Sequence, residues 1–305
     1  MSVSAPAITA ATAIPPAGGD ASMLDGIAAL LERHRRILIL TGAGISTASG
    51  IPDYRDEDGT RRGRAPIQGV EFRGAEAARK RYWARSMLGW PRLAQARPNA
   101  AHRAIARWQF AGHIAAVLTQ NVDGLHQQAG SDEVIELHGS IHAVRCLQCG
   151  TVHPRAHIQQ RLECDNPTVL RSEAALLPDG DALLEPHADA HFQVPDCDRC
   201  GGMLQPDVVF FGDGVPAARA ARAEAAARAC DAVLVVGSSL MVLSGFRLAR
   251  MAAEAGKPVI ALNRGITRAD PLLSMKWRAG AETALPMLVE RLLAPGAGRS
   301  GVMGC

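Results

Sequence analysis

No apolar run in this 305-residue chain approaches the roughly 20 residues that a membrane-spanning helix requires. The first residues also lack the charged-then-apolar layout of a secretory signal. Residues 1–22, rich in Ala, Pro, Ser and Gly, contain no arginine, so they read as a disordered tail and not as a mitochondrial transit peptide. The expectation is a cytoplasmic protein with no membrane partner. No block of like charge is present either: 33 Lys and Arg against 30 Asp and Glu leave a net +3, scattered along helices, which argues against a nucleic-acid partner. The seven cysteines are odd in number, and four of them form two C-x-x-C pairs, which in a reducing compartment means metal before disulfide.

What the chain does have is 48% hydrophobic content, enough for a full α/β core and one smaller module. The run 37–40, Ile-Leu-Ile-Leu with no polar alternation, predicts a parallel strand buried on both faces. Gly42 and Gly44 follow at once, and without a Cβ they let backbone N–H groups approach a pyrophosphate at the start of a following helix. The third glycine of a dinucleotide fingerprint is missing, since Thr47 stands there, and Gly50-Ile51-Pro52 occupies the place of a dehydrogenase helix. Taken alone, these glycines fit a nucleotide loop or an ordinary turn.

Apolar periodicity and breakers predict helices over 23–33, 76–88 (ended by Trp90-Pro91), 99–110, 217–229, 245–255 and 282–293. Strands are expected at 114–118, 134–137, 232–236 and 258–262, with 206–213 returning the chain to the main sheet. The charged, glycine-rich stretch 60–74 reads as a loop that orders over a ligand. Strand and helix alternate, which specifies an α/β fold with a doubly wound parallel sheet. Cys146-Leu147-Gln148-Cys149 and Cys197-Asp198-Arg199-Cys200, each followed by glycine, have the form of two knuckles closing a four-thiolate structural zinc site, the rival being a redox pair. The polar insertion 150–196 between them, with Cys164 unpartnered, reads as a surface elaboration of that module.

Gly42-Ala43-Gly44-Ile45-Ser46, Gly50 to Arg55, Gln120-Asn121-Val122-Asp123, His138-Gly139-Ser140 and the two cysteine pairs stand in an order that resembles the sirtuins, NAD-dependent protein lysine deacylases. Tyr82-Trp83-Ala84-Arg85, Gly89-Trp90-Pro91 and Phe192-Gln193-Val194-Pro195 resemble their class II, mitochondrial-type branch, here in a bacterial form. The resemblance covers roughly 23–293. It implies a Rossmann-like NAD-binding domain of 23–74, 93–145 and 203–295, a small domain with a helical part (75–92) and a zinc module (146–202), and a flexible tail at 296–305.

It also implies roles. His138 would be the general base, with Asn121 near the ribose and Asp123 against the nicotinamide carboxamide. Further NAD contacts would come from Gly42, Ala43, Gly44, Ile45, Pro52, Asp53, Tyr54, Arg55, Gln120, Val122, Gly237, Ser238, Ser239, Asn263, Arg264, Gly265 and Ala281. Acyl-lysine proteins, the expected partners of a monomeric enzyme, would pair with the segment holding Val209, Phe211 and Gly212 and touch Val242. Tyr82 and Arg85, three apart on one helix face, either receive an acidic acyl group or pack in the module. Asp213 stands where many sirtuins have glutamate. ADP-ribosyl transfer to protein would use the same NAD site and stays open. A dehydrogenase is disfavoured by the absence of a Tyr-x-x-x-Lys pair, and a zinc-ribbon binding module by the diffuse charge.

Overall fold

The computed structural model describes residues 20–62, 66–170 and 191–294. Among them, strands β1 (Ile37–Thr41), β2 (Ile114–Thr119), β3 (Ile135–Glu136), β4 (Gly139–Cys146), β5 (Val152–Pro154), β6 (Leu204–Val208), β7 (Ala232–Val236), β8 (Val259–Leu262) and β9 (Met275–Trp277) form two sheets. The larger is parallel throughout, in the order β3-β2-β1-β7-β8-β9. Its central strands are almost purely aliphatic and buried at every position, as a sheet covered on both faces requires. Ile37, Ile39, Leu234 and Val236 face helices Asp20–Leu31, Ala100–Phe110 and Ala281–Leu293. Leu38, Leu40, Val233 and Val235 face helices Ala217–Ala229 and Leu243–Glu254 on the other side. This is the doubly wound fold expected. Strand order reverses between β1 and β7, so the loops that follow those two strands flank the crevice in which open α/β sheets take ligands.

The second sheet is antiparallel, in the order β5-β4-β6, and it corrects the expectation that 206–213 rejoins the main sheet. Gln205 and Asp207 in β6 are only partly buried, a pattern that a strand covered on both faces does not tolerate. Helix Glu76–Gln95 runs on through Pro91 instead of stopping there. Proline removes the N–H that would serve the carbonyl four residues back, that of Met87. Gln159 Nε2, on helix Arg155–Asp165, donates to this carbonyl at 2.8 Å. A neighbouring helix thus supplies the donor that local sequence withholds.

That neighbour lies inside the expected surface insertion, and Ile158, Leu162 and Phe192 are buried with Trp83 and Met87. The insertion is therefore partly core, although 171–190 lies outside the described residues. Within the expected loop 60–74, helix Gly69–Gly74 forms because Phe72 enters the same cluster. The first helix begins at Asp20, inside the expected tail, where Asp20 Oδ1 accepts from Trp277 Nε1 at 3.0 Å. Residues 1–19 and the expected tail 296–305 lie outside the described residues. Strand β9 was not foreseen: it is three residues long, and its central Lys276 is buried against Asp270 at 2.8 Å, which hides the apolar signal. No helix among the described residues is long and apolar enough to cross a membrane.

Candidate active site and metal site

The loops after β1 and β7 touch. Gly44 N donates to Gly237 O at 2.8 Å, and a Cβ on Gly237, whose φ is +59°, would lie 2.3 Å from Ile45 N. These glycines therefore let two backbones pack together at the switch point. The expected helix after Gly44 does not form. Two single 3-10 turns, Ala43–Ile45 and Thr47–Ser49, stand there, ended by Gly50 in the left-handed region with Pro52 two residues on. No long helix dipole is available at this loop.

The β2 end brings the polar residues in. Ser46 Oγ donates to Asp123 Oδ2 at 2.7 Å, and Leu125 N donates to Asp123 Oδ1 at 3.0 Å, so both oxygens of this buried carboxylate are engaged. Asn121 Nδ2 donates to Ser46 Oγ at 3.0 Å and to Gly42 O at 3.2 Å. Gln120 Nε2 donates to Ser238 Oγ at 2.8 Å, tying the β2 end to the β7 end. Beneath them Thr41 Oγ1 donates to Thr119 Oγ1 at 2.9 Å and lies 2.9 Å from His126 Nε2. His126 and His102 are fully buried, with ring centroids 4.9 Å apart. Burial pushes His126 down to about 3 and His102 down to about 4, so both rings are neutral.

His138 begins the turn from β3 into β4. Its Nδ1 lies 2.9 Å from Gln120 O and its Nε2 lies 2.8 Å from Ser244 Oγ. A carbonyl oxygen only accepts, so Nδ1 carries the proton and Nε2 holds the lone pair. Burial, opposed by the Gln120 carbonyl and aided by Arg219, holds the ring below the ordinary imidazole value. The result is a neutral imidazole with one defined basic nitrogen.

The stretch Pro52 to Arg62 folds over the β8 end. Glu57 O accepts from Ile266 N at 2.8 Å, Asp53 pairs with Arg62 at 3.0 Å, and Arg55 Nη1 closes the loop on Gly59 O at 2.8 Å. The Tyr54 ring stands 6.3 Å from that of Phe211, which Arg61 covers at 5.0 Å. Asn263 Nδ2 donates to Gly265 O, and Arg264 pairs with Glu282 at 2.6 Å. Ala281 is buried in the main core alongside Ile45. Val242 is exposed. Val209 N already donates to His138 O at 2.8 Å and Phe211 O accepts from Gly69 N at 3.0 Å, so this segment is partly paired within the chain. Gly212 takes a left-handed φ of +84° beside Gln68. Asp213 forms a two-armed bridge to Arg73 at 2.7 and 2.8 Å. Tyr82 packs among Phe72, Trp83 and Phe210, with centroids 5.2 to 5.8 Å away, and Arg85 is half-buried on the same helix.

At the far end of the small module the sulfurs of Cys146, Cys149, Cys197 and Cys200 all lie within 4.8 Å of one another. Cys146 and Cys200 are 3.5 Å apart and Cys149 and Cys197 3.8 Å. A tetrahedral zinc with Zn–S of about 2.3 Å sets its sulfurs about 3.8 Å apart, so the cluster fits that ion. His153 Nε2 adds an outer contact to Cys197 Sγ at 3.4 Å.

The family model described as the Sir2 family matches residues 42–244, more than half of the chain. The chain belongs to the Sir2 family. Among its Sir2 relatives, NAD-dependent protein deacetylase 3 of Pseudomonas syringae pv. tomato is 54% identical over 261 residues, covering 85% of this chain and 93% of that protein. The NAD-dependent protein deacetylase of Bordetella bronchiseptica is 52% identical over 268 residues, covering 88% and 98%. A solved Sir2 complex with a peptide and NAD+ matches with a TM-score of 0.70 at 28% identity, covering 88% of this chain and 98% of that one. A second, Sir2 bound to acetylated peptide, matches with a TM-score of 0.68 at 27% identity, covering 88% and 98%. Beside the residues picked from the Sir2 motifs, the structure adds Ser46, Ser244, Thr41, Thr119 and His126. Ser46 closes the first quoted motif and was within reach. Ser244 carries no local signal, being 106 residues from the ring it touches.

Proposed function

We propose that this protein is an NAD-dependent protein lysine deacylase, which moves an acyl group from lysine to ADP-ribose and releases nicotinamide. The observation that carries this is the neutral His138, its Nε2 alone basic, standing at the carboxyl ends of β1, β2 and β7 beside Asn121 and Asp123. NAD, when bound, supplies an electrophilic ribose carbon. Ser46, Asn121 and Asp123 form the donor and acceptor set that suits a carboxamide and a ribose, and Gln120, Ser238 and Ser239 suit the remaining hydroxyls and phosphates. Tyr54, Phe211 and the folded loop above them exclude water. With NAD bound, His138 Nε2 would take the proton of a ribose hydroxyl as general base, while Nδ1 keeps its own and donates a hydrogen bond to Gln120 O, which stabilises the cation formed. The four cysteines would hold zinc at the far end of the small module, in a closed site with a structural role.

The domain boundaries, the class II assignment and cytoplasmic placement belong to the same reading. One observation supports class II: Trp83 and Phe192, from two of the quoted segments, pack in one cluster, and Arg155 covers both Trp83 at 5.4 Å and Trp90, from the third, at 5.0 Å. A four-cysteine metal site needs its sulfurs reduced, which suits a reducing compartment.

The test is a panel of acetyl-, succinyl-, glutaryl- and branched-acid-lysine peptides with NAD, followed by mass analysis. Acyl-ADP-ribose and free lysine are expected; reduced nicotinamide or ADP-ribosylated protein would overturn the reading. His138→Ala should keep NAD affinity by calorimetry and lose turnover. For an acidic acyl group received by Tyr82 and Arg85, Arg85→Met should lower kcat/KM on that substrate by about 10- to 100-fold and leave acetyl-lysine nearly unchanged. Equal losses on both would make Arg85 structural.

A further inference from the structure

His138 has one lone pair to offer, and in this structure it is occupied. Because Gln120 O fixes the proton on Nδ1, the 2.8 Å contact at Nε2 is a hydrogen bond donated by Ser244 Oγ. Ser244 lies in the first turn of helix Leu243–Glu254, which the main sheet holds through Leu248, Ala249 and Ala252. It also lines a cavity of about 240 Å³, walled by Leu137, Ala223, Leu248 and Met251. Ser244 therefore stands between the His138 ring and this pocket. A rotation about χ1 exchanges these two positions without backbone movement.

We propose that Ser244 is a positioning residue that closes the Nε2 lone pair of His138 in the free protein and swings toward the cavity when a ribose hydroxyl takes its place. This rests on the reading of His138 as the base. A donated hydrogen bond stabilises the neutral ring, so its loss makes the ring easier to protonate. The ionisable groups on the elements packed around His138 are Arg219, Arg222, Glu224 and Arg228 on helix Ala217–Ala229, Glu136 on β3, His142, Arg145 and Cys146 on β4, Asp207 on β6, Asp123 after β2, and Arg247, Arg250 and Glu254 on the helix of Ser244. Of these Arg219 opposes protonation of His138, and it is paired with Asp207 at 3.0 Å. Arg219 pairs with Asp207 at 3.0 Å and Arg247 with Glu224 at 3.6 Å, and Ser244 takes no part in either pair, so substituting it leaves them in place.

The experiment compares Ser244→Val with Ser244→Thr, equal in volume and different in the hydroxyl, in the full zinc-loaded chain. Ring C–H resonances of His138 are titrated from pH 4 to 9 without NAD. Ser244→Val should raise the His138 pKa by about half to one unit, the scale of one neutral hydrogen bond, while Ser244→Thr stays within about 0.2 of the parent. With acyl peptide and NAD, the acid limb of kcat/KM should move up in the Val variant by the same amount. Equal titration of the two variants, or a downward move in the Val variant, would overturn the proposal. If the Val variant does not fold, Ser244→Ala set against Ser244→Thr reads the same difference. A parent protein without deacylase activity would remove the base reading, whereas the titration tests the contact on its own.

Discussion

Strands β6 and β7 are each five residues long, and they are held by different physics. β7, Ala-Val-Leu-Val-Val, is buried at every position between two parallel neighbours and needs only apolar surface above and below. β6, Leu-Gln-Pro-Asp-Val, lies against β4 beside the cysteine cluster, and its module relies on directed contacts: four converging sulfurs, Gln159 on the Met87 carbonyl, and Asn166 bracketing Gln193. The large sheet tolerates any well-packed aliphatic filling. The small module tolerates less, because it depends on particular polar pairings as well as on packing.

The strongest way to break this comparison is to remove the metal. Structural zinc contributes on the order of 10 kcal/mol to the folding of the part it closes. Chelation, or Cys200→Ser, should abolish hydrogen-exchange protection in β4 and β6 and leave β1 and β7 protected. Simultaneous loss in both sheets would show that the two regions are one cooperative unit.

A core truncation probes the other side. Leu234→Ala at the centre of β7 should cost about 2–5 kcal/mol of global stability in urea unfolding. Leu162→Ala in the module should lower exchange protection there and hardly move the urea midpoint. A cost below about 1 kcal/mol for Leu234→Ala would mean that the sheet repacks around the loss.

Acid acts on a polar island within the large region. His102 and His126 ionise near 4 and 3 in the folded chain against 6.5 when free of it. Their folded values are depressed, so the stability they contribute is complete above pH 6.5 and is lost as pH falls towards those values. Between pH 6.5 and 5 the loss is about 1.6 kcal/mol for each ring, readable as a falling urea midpoint. His126→Gln should flatten that slope by roughly half; an unchanged slope would assign the acid sensitivity elsewhere.

The smallest effect sharpens the contrast inside the module. Gln159→Leu leaves the Met87 carbonyl without a donor and should cost about 1–3 kcal/mol, seen as faster exchange around Pro91 with the large sheet unaffected. A neutral result would mean that water replaces the amide.

What the sequence determined by itself is the part that depends on near neighbours. The aliphatic runs at 37–40, 232–236 and 258–262 require a doubly covered parallel sheet because no face of them can meet water. Two C-x-x-C pairs define a four-thiolate site because two residues between ligands suit one tetrahedral ion. The tertiary structure decided the rest. Helix Glu76–Gln95 survives Pro91 because Gln159, 68 positions after it, donates to the orphaned carbonyl. β9 exists because Asp270 neutralises the buried Lys276. His138 has its proton on Nδ1 because Gln120 presents a carbonyl, and its lone pair meets Ser244 because the helix after β7 crosses behind it. Hydrogen bonds of this kind join groups that are distant in the chain, and their partners carry no local periodicity from which either could be read.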